Sequence, residues 1–355
     1  MNQKQFETYF LSGLNIRMIK SLTRSAITLA LALALTQAAA APPQAGLPDR
    51  VLHSPHGVRG PFSFSPDSLM LAHGDYQRLV LVWDVRTGRV VQTIHETDDV
   101  AAVAFSPNGG ALAVSTYKAL KLWEPRTGRL IRDFPTANHG ADAIAFSPNG
   151  RLLAAGTLDQ IMLWDTQTGT VRRTLREKSY RIGAPMTFSP DGRLLADGFP
   201  AEGENGIKLW DVESGQIARD LAGSYPVRTL AYSSDGHVIA GWEPRGRVQW
   251  GGVMVWDLQT GRASQVPATN PSWPLAFAPD GRILAVTEHQ DGGSGDHVRF
   301  WDVRADRWTA TLSVPPDPRG YQQLDDLSFS PDGHLLAAVV FENVVLWNVG
   351  SLLRR

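Results

Sequence analysis

Short apolar runs alternate with tight-turn residues along most of the chain after residue 50. Residues 100–105 and 111–115 are apolar runs separated by Ser-Pro-Asn-Gly, in which proline suits the second turn position and glycine accepts a left-handed exit. Residues 119–123 alternate apolar and polar side chains, as a half-buried strand does. Residues 129–134 follow a second turn that ends in glycine. The pattern predicts four short antiparallel strands joined by tight turns.

This unit is written seven times, with an aromatic residue before the first turn and a tryptophan 18 to 24 residues later. The aromatic residues are Phe64, Phe105, Phe146, Phe188, Tyr232, Phe277 and Phe329. The tryptophans are Trp83, Trp123, Trp164, Trp210, Trp256, Trp301 and Trp347. A period of about 40–50 residues is the mark of a repeat architecture. Four-stranded units that must stack on their neighbours predict an all-β, seven-bladed β-propeller with the tryptophans packed between blades.

The two ends of the chain predict how the ring closes. Only eight residues follow Trp347, too few for another full outer strand, whereas residues 50–53 precede Phe64 much as residues 92–95 precede Phe105. We therefore expect the N-terminal strand to pair with the last blade. The propeller is predicted to span residues 50–355.

The repeats resemble the WD-repeat β-propeller family over residues 50–355. Five of the seven tryptophans are followed by the family's aspartate, whereas Trp123-Glu124 and Trp347-Asn348 depart from it. The family's Gly-His before the first strand is missing throughout, and only Asp159 lies near the position of its buried aspartate. The resemblance implies the propeller fold. The missing residues imply blades that depend more on apolar packing than on the family's polar network.

The first 40 residues have the features of a secretory signal peptide. Lys20 and Arg24 precede a ten-residue apolar run, 26–35, and Ala38-x-Ala40 provides a cleavage site. The run is shorter than a membrane-spanning helix requires, so we expect no transmembrane anchor after cleavage. Met18 is a second candidate for the start, and residues 41–49 are predicted to be a short linker. No Asn-x-Ser/Thr sequon with a permitted middle residue occurs, and we therefore expect bacterial export to the periplasm or the medium.

Composition limits the chemistry. The chain has no cysteine and a formal charge of −1, with no basic run after residue 50, so thiol catalysis is excluded and nucleic-acid binding is not expected. Hydrolase elbows, phosphate loops and zinc-protease motifs are absent. We predict no catalytic residue, metal or cofactor, and a monomer.

Differences among the repeats indicate where a partner would bind. The turns between strands one and two, and between three and four, hold their length. The spacing from aromatic residue to tryptophan grows in blades four to six, and the connection into blade seven is long. Since the two-three turns and inter-blade connections leave an antiparallel blade at one end, the extra length falls on one face. The inserted segments are 199–206, 242–252, 288–297 and 313–321.

Aromatic and charged residues of that face are the candidates for partner binding, since tryptophan and arginine are enriched at interface hot spots. They are Phe199, Trp242, Arg245, Arg247, Trp250, Trp273, His289, Asp296, His297, Arg319 and Tyr321. Trp242 and Trp250 could instead pack on each other within a longer hairpin. His289, Asp291, Asp296 and His297 suggest a metal site, but the glycine-rich tract between them favours a solvated, flexible loop.

Three functions remain open from the sequence. The first is an exported, non-enzymatic scaffold that binds a protein or peptide on the long-loop face. The second is a propeller enzyme or small-ligand protein, lactonase-like or quinoprotein-like, with its site at the channel mouth. The third is an envelope protein resembling the periplasmic propeller of the Tol system.

Overall fold

The computed structural model describes residues 44–45, 48–136, 140–157, 160–176, 185–198, 206–223, 227–244, 251–290, 295–314 and 324–353. The signal peptide predicted for residues 1–40 lies outside them. The side chains of 44, 45, 244, 251, 273, 290 and 295 are likewise outside the described part.

Seven blades follow one another along the chain, six of them four-stranded sheets and one, blade six, a five-stranded sheet. Within each blade, strands are given from the innermost outward. Blade one contains β3 (Arg59–Phe64), β4 (Met70–Gly74), β5 (Leu79–Asp84) and β6 (Arg89–His95). Blade two contains β7 (Val100–Phe105), β8 (Leu112–Thr116), β9 (Leu120–Trp123) and β10 (Leu130–Phe134). Blade three contains β11 (Ala143–Phe146), β12 (Leu152–Gly156), β13 (Gln160–Asp165) and β14 (Val171–Arg176). Blade four contains β15 (Met186–Phe188), β16 (Leu194–Asp197), β17 (Gly206–Asp211) and β18 (Ile217–Ala222). Blade five contains β19 (Thr229–Tyr232), β20 (Val238–Pro244), β21 (Gly251–Asp257) and β22 (Ala263–Gln265). Blade six contains β23 (Pro271–Phe277), β24 (Ile283–Gln290), β25 (Gly295–Asp302) and β26 (Arg307–Ser313). Blade seven contains β27 (Leu324–Phe329), β28 (Leu335–Val340) and β29 (Asn343–Asn348), and its outer strand is β2 (Arg50–His53) from the N-terminal part of the chain. The predicted fold class is confirmed.

The ring closes as the sequence predicted. β2 pairs antiparallel with β29, from Arg50 opposite Leu346 to His53 opposite Asn343. Leu52 is completely buried in this pairing. The backbone amide of Asn348 also donates to the Asp49 carboxylate at 2.5 Å. The first and last repeats are therefore joined by backbone pairing.

Two small elements were not predicted. β1 (Gln44–Ala45), within the segment expected to be a linker, pairs in parallel with β26 and makes blade six five-stranded. The helix α1 (Gly350–Leu353) follows the last strand. No helix in the described part of the chain reaches the length and hydropathy needed to cross a bilayer.

The core lies between neighbouring blades. Six of the seven repeat tryptophans are at most 5% exposed, and Trp123 is half-buried. Each packs with apolar side chains of the next or preceding blade, as Trp164 does with Phe134 at a ring distance of 5.5 Å. These side chains form the scaffold and are not a binding surface.

The constant turn between strands one and two is held by its own side chains. In blade four, Ser189 donates to the Asp191 carboxylate at 2.6 Å and accepts from the Leu194 amide at 2.9 Å. The same Asp191 accepts from the Arg193 amide, and Gly192 adopts a φ of +72°. Equivalent bonds recur at Ser65, Ser106, Ser147, Ser233 and Ser330. The repeated Ser-Pro-Asp-Gly sequence is thus a hydrogen-bonded turn.

The tryptophan indole N–H groups find different partners in different blades. Trp83 donates to His73 Nε2 at 2.9 Å, and Trp123 donates to Glu96 Oε1 at 2.8 Å. Within the described residues, the indole nitrogens of Trp164, Trp210 and Trp347 have no hydrogen-bond partner. Three blades therefore follow the expectation of apolar packing, whereas blades one and two have substituted other side chains for the missing network.

Arginines at one position of the outer strands connect consecutive blades. Arg132 donates to the carbonyls of Gln167 and Thr168 at 2.7 and 3.1 Å. Arg173 and Arg219 make corresponding bonds to the carbonyls of Glu213 and Leu258. Each reaches the turn between strands three and four of the next blade. The constant length of that turn therefore keeps its carbonyl groups in place to accept hydrogen bonds from the arginine of the neighbouring blade.

Candidate functional site

The loop face is the end of the propeller that carries the turns between strands two and three and the connections between blades. On it, the second and third strands of blades five and six are longer than elsewhere. β20 and β21 have seven residues each and β24 and β25 have eight, against four to six in the other blades. The insertions therefore partly extend the hairpins.

The segment 288–297 shows this extension most fully. Glu288 pairs with His297 and His289 pairs with Asp296 in the β24–β25 ladder. The prediction of a flexible loop was therefore wrong for residues 288–290 and 295–297, which continue the sheet. Residues 291–294, with Asp291, and the side chains of 290 and 295 lie outside the described part.

The ladder also divides the proposed metal ligands. Cross-strand partners share one face of a sheet and consecutive residues point to opposite faces. His289 and Asp296 therefore lie on one face and Glu288 and His297 on the other. In the described residues, no group of three or more acidic or histidine side chains is placed to hold a metal.

Each face of this hairpin has its own contact. His289 Nδ1 lies 2.8 Å from Asp296 Oδ1, and burial raises the pKa of that carboxyl against the opposing effect of His289. On the other face, Arg299 pairs with Glu288 at 3.1 Å, and its guanidinium lies 3.9 Å from the centre of the Trp308 ring. Asp296 is buried, so it supports His289 and does not itself contact a partner.

Trp242 is a core residue in the structure. Its side chain is 4% exposed, packs with Val253, Leu275 and Val286, and donates from Nε1 to the Pro271 carbonyl at 2.9 Å. The assignment of Trp242 as a partner-binding residue is therefore corrected, because it fills the interface between blades five and six. Its packing on Trp250 lies outside the described residues.

The other candidates for partner binding lie partly inside and partly outside the described residues. His289 and His297 are partly exposed on the β24–β25 hairpin. The backbone of Trp273 lies in β23, but its side chain is outside the described part. Six candidates lie outside the described residues: Phe199, Arg245, Arg247, Trp250, Arg319 and Tyr321.

A cluster over blades one and two was missed by the sequence reasoning. The Arg59 guanidinium lies between two tyrosine rings, 5.6 Å from the centre of Tyr76 and 5.7 Å from that of Tyr117. Asp99 pairs with Arg59 at 2.8 Å and with Arg78 at 3.3 Å. A hydrogen bond with Tyr117, aided by the charge of Asp99, raises the pKa of Arg59 against the opposing effect of burial. Its guanidinium, like that of any arginine, remains charged. We call these five residues, with Asp98 and Lys118, the blade 1–2 patch.

The patch lies on the loop face. Tyr76 and Tyr117 occupy the two-three turns of consecutive blades, Arg59 begins the innermost strand β3, and Asp99 directly precedes β7. The sequence held one signal for it, since each tyrosine follows its repeat's Phe64 or Phe105 by the same 12 residues. Both turns are short, so the repeat spacing does not distinguish them from other turns.

Comparison with known proteins agrees with this geometry. The family model "WD domain, G-beta repeat" matches residues 88–124 and 128–165, which run from the outer strand of blade one through β13 of blade three. The chain carries WD40 repeats. The match includes Tyr117 and two of the seven repeat tryptophans, Trp123 and Trp164.

Several WD-repeat relatives match parts of the chain. "WD repeat-containing protein VIP3" of Arabidopsis thaliana is 32% identical over 142 residues, 37% of this chain and 41% of that protein. "Pre-mRNA-processing factor 19 homolog 2" of the same plant is 35% identical over 77 residues, 21% of this chain and 15% of that protein. "Small ribosomal subunit protein RACK1z", also of Arabidopsis thaliana, is 30% identical over 69 residues, 19% of this chain and 21% of that protein. The matches thus span less than half of each relative. These relatives are eukaryotic and give no support to a bacterial origin.

Proposed function

We propose that this WD-repeat propeller is an exported, non-enzymatic scaffold that binds a protein or peptide partner through its loop face. The observation that carries the proposal is the concentration of unusual features at that end. The extended hairpins β20–β21 and β24–β25 and the blade 1–2 patch all lie there. The opposite end carries short, self-bonded turns of constant length.

Repeat scaffolds commonly use such a surface for binding, since a rigid ring presents loops from many repeats at once. The relatives support the same function. One bears the name of a small ribosomal subunit protein, which is a component of a larger assembly. A partner bound by several blades would contact the long segments over blades four to seven, where Arg245, Arg247, Trp250 and Tyr321 provide the hot-spot residue types.

The binding function is tested by capture of a partner with variants of the long segments. Arg245→Ala and Tyr321→Ala are expected to release a partner that the unchanged chain retains, without a change in melting temperature. The control is Leu69→Ala, an exposed apolar residue in a turn at the opposite end. Equal capture by all four proteins would contradict the proposal.

Export is the second part of the proposal and rests on residues 1–40. In cells of the source organism, the intact mass of the chain is expected to correspond to cleavage near Ala40, with the product outside the cytoplasm. An uncleaved cytoplasmic chain would remove export while leaving the scaffold function in place.

One observation favours a second candidate, a ligand site or enzyme on the same face. His289, held by the buried Asp296, has the arrangement in which a carboxylate orients an imidazole for proton transfer. A bound ligand would raise the melting temperature of the native chain but not that of His289→Ala. A panel of metals and metabolites that leaves both melting temperatures unchanged would exclude this candidate.

A further inference from the structure

We propose that the blade 1–2 patch anchors the partner on the loop face by binding an extended acidic peptide segment with an aromatic or aliphatic side chain beside a carboxylate. This inference rests on the proposed scaffold function and names the chemistry of its partner.

The first argument is the exposure of the two tyrosines. Tyr76 is 55% exposed and Tyr117 is 50% exposed, although both belong to short turns. Rings of this kind contribute large apolar area at little conformational cost, and tyrosine and arginine recur at interface hot spots. The two rings with Arg59 between them form a surface on which an apolar side chain can pack.

The second argument is the balance of charge. Two of the three cations are well exposed, Arg78 at 55% and Lys118 at 71%, whereas Arg59 between the rings is 27% exposed and the carboxylates of Asp98 and Asp99 are 16% and 31% exposed. Beside the rings, a partner therefore meets the exposed Arg78 and Lys118 and a patch with three cations against two carboxylates, which favours carboxylates on the partner.

The third argument is preorganisation. The Tyr76 turn is fixed by Asp75, whose Oδ1 accepts from the amides of Gln77 and Leu79 at 2.8 Å. The Tyr117 turn is fixed by Thr116, whose hydroxyl accepts from the amide of Ala119 at 3.1 Å. Both rings are held on rigid turns, so binding does not have to order the backbone that carries them.

A nucleic acid fits this surface less well. Phosphate chains are bound by many cations that neutralise successive charges, whereas the patch holds two carboxylates of its own and the chain has a formal charge of −1. Asp98 and Asp99 would repel a phosphate backbone laid across the patch. A peptide can place single carboxylates against the cations and avoid these acids.

The test measures fluorescence anisotropy of three labelled probes with the full chain. The probes are the peptide Glu-Phe-Glu-Leu-Glu-Phe-Glu, its counterpart with lysine for every glutamate, and a twelve-nucleotide oligothymidine. We expect binding of the acidic peptide that weakens with added salt because exposed charges are screened. The double variant Tyr76→Ala/Tyr117→Ala should bind it about tenfold more weakly, the effect of losing a pair of interface anchors. Leu69→Ala should bind it as the unchanged chain does.

Several results would overturn the inference. They are no binding of the acidic peptide, equal binding by the tyrosine double variant, or tighter binding of the lysine peptide or the oligonucleotide. A melting-temperature measurement on the double variant shows that it is folded, and Tyr76→Phe/Tyr117→Phe, which keeps both rings, should retain most of the affinity. If the tyrosine variants bind normally while Arg245→Ala and Tyr321→Ala release the captured partner, the scaffold function stands and this inference fails.

Discussion

At the scale of single residues, the repeated sequence is a set of turn bonds. In six of the seven first turns, a serine hydroxyl donates to the aspartate or asparagine side chain two residues later and accepts from a strand amide. In the second turn, the aspartate after the tryptophan is the acceptor, as Asp211 is for the amide and hydroxyl of Ser214. These hydrogen bonds lower the pKa of Asp211, and similar bonds lower the pKa of Asp191. The signature residues thus stabilise the blades locally.

Removing one turn hydroxyl should therefore cost measurable stability. Ser189→Ala breaks the bonds to Asp191 and to the Leu194 amide, so urea denaturation should show a loss of about 1 kcal/mol in the free energy of unfolding. Blade six offers the converse, since Ala278 occupies the serine position. Ala278→Ser should leave stability unchanged or raise it. A loss from Ala278→Ser equal to that from Ser189→Ala would contradict this role.

Asp326 gives a pH dependence of its own. It lies in the innermost strand β27 and accepts from the Phe62 amide of blade one at 3.0 Å, and burial raises its pKa to about 6. Because the folded pKa lies above the unfolded value of about 3.9, its contribution is fully present at low pH and is lost as pH rises through about 6.

Asp326→Asn keeps an acceptor for Phe62 and cannot ionise. The free energy of unfolding of this variant minus that of the unchanged chain should therefore grow between about pH 4 and pH 7. Paired urea titrations at several pH values measure the difference, in which all other titrating groups cancel. A difference that is independent of pH would contradict the assignment.

At the scale of elements, the outer strands connect the blades through arginines. Arg132→Ala removes two charge-assisted bonds to blade three and should lower the free energy of unfolding by about 1–3 kcal/mol. The matched control is Arg129→Ala directly before β10, whose exposed ion pair with Glu124 should contribute less than about 1 kcal/mol. Equal effects of the two substitutions in urea denaturation would show that the contact between blades is unimportant.

The β20–β21 hairpin shows why a candidate site could be placed only in part. The repeat spacing located the insertion in this hairpin correctly. The sequence does not distinguish an aromatic side chain at the start of an insertion that faces solvent from one that packs against the next blade. Trp242 faces blade six because the longer β20 carries it alongside β23, where the Pro271 carbonyl accepts its N–H. Register, which decides this, depends on pairing that a single sequence does not show.

Trp242→Ala is therefore expected to destabilise the fold, by about 3–5 kcal/mol, as large-to-small substitutions in a core do. Trp242→Phe, which retains most of the packing and loses the bond to Pro271, should have a smaller effect. Thermal and urea denaturation measure both. A stable Trp242→Ala chain that only fails to bind a partner would restore Trp242 to the binding surface.

At the scale of the whole molecule, the period of the repeat, the number of blades and the closing strand β2 could all be predicted from the sequence, because each follows from recurring local patterns. The blade 1–2 patch could not be assembled from the sequence beyond the equal spacing of its two tyrosines, because Arg59, Asp99 and Tyr117 lie far apart in the chain and meet only when neighbouring blades pack. β1 had no signal either, since two residues without periodicity predict no strand. Contacts between residues of different blades therefore require the three-dimensional structure.

The loop-face account is tested most directly by site-specific photo-crosslinking in cells of the source organism. A benzophenone amino acid replaces Tyr76 on the loop face, Leu69 on the opposite face, or Val91 on the exposed outer strand β6. The account predicts a discrete crosslinked partner from position 76, lost when Arg59 is changed to Gln, and none from positions 69 and 91. A partner crosslinked from position 69 or 91 and not from position 76 would contradict it.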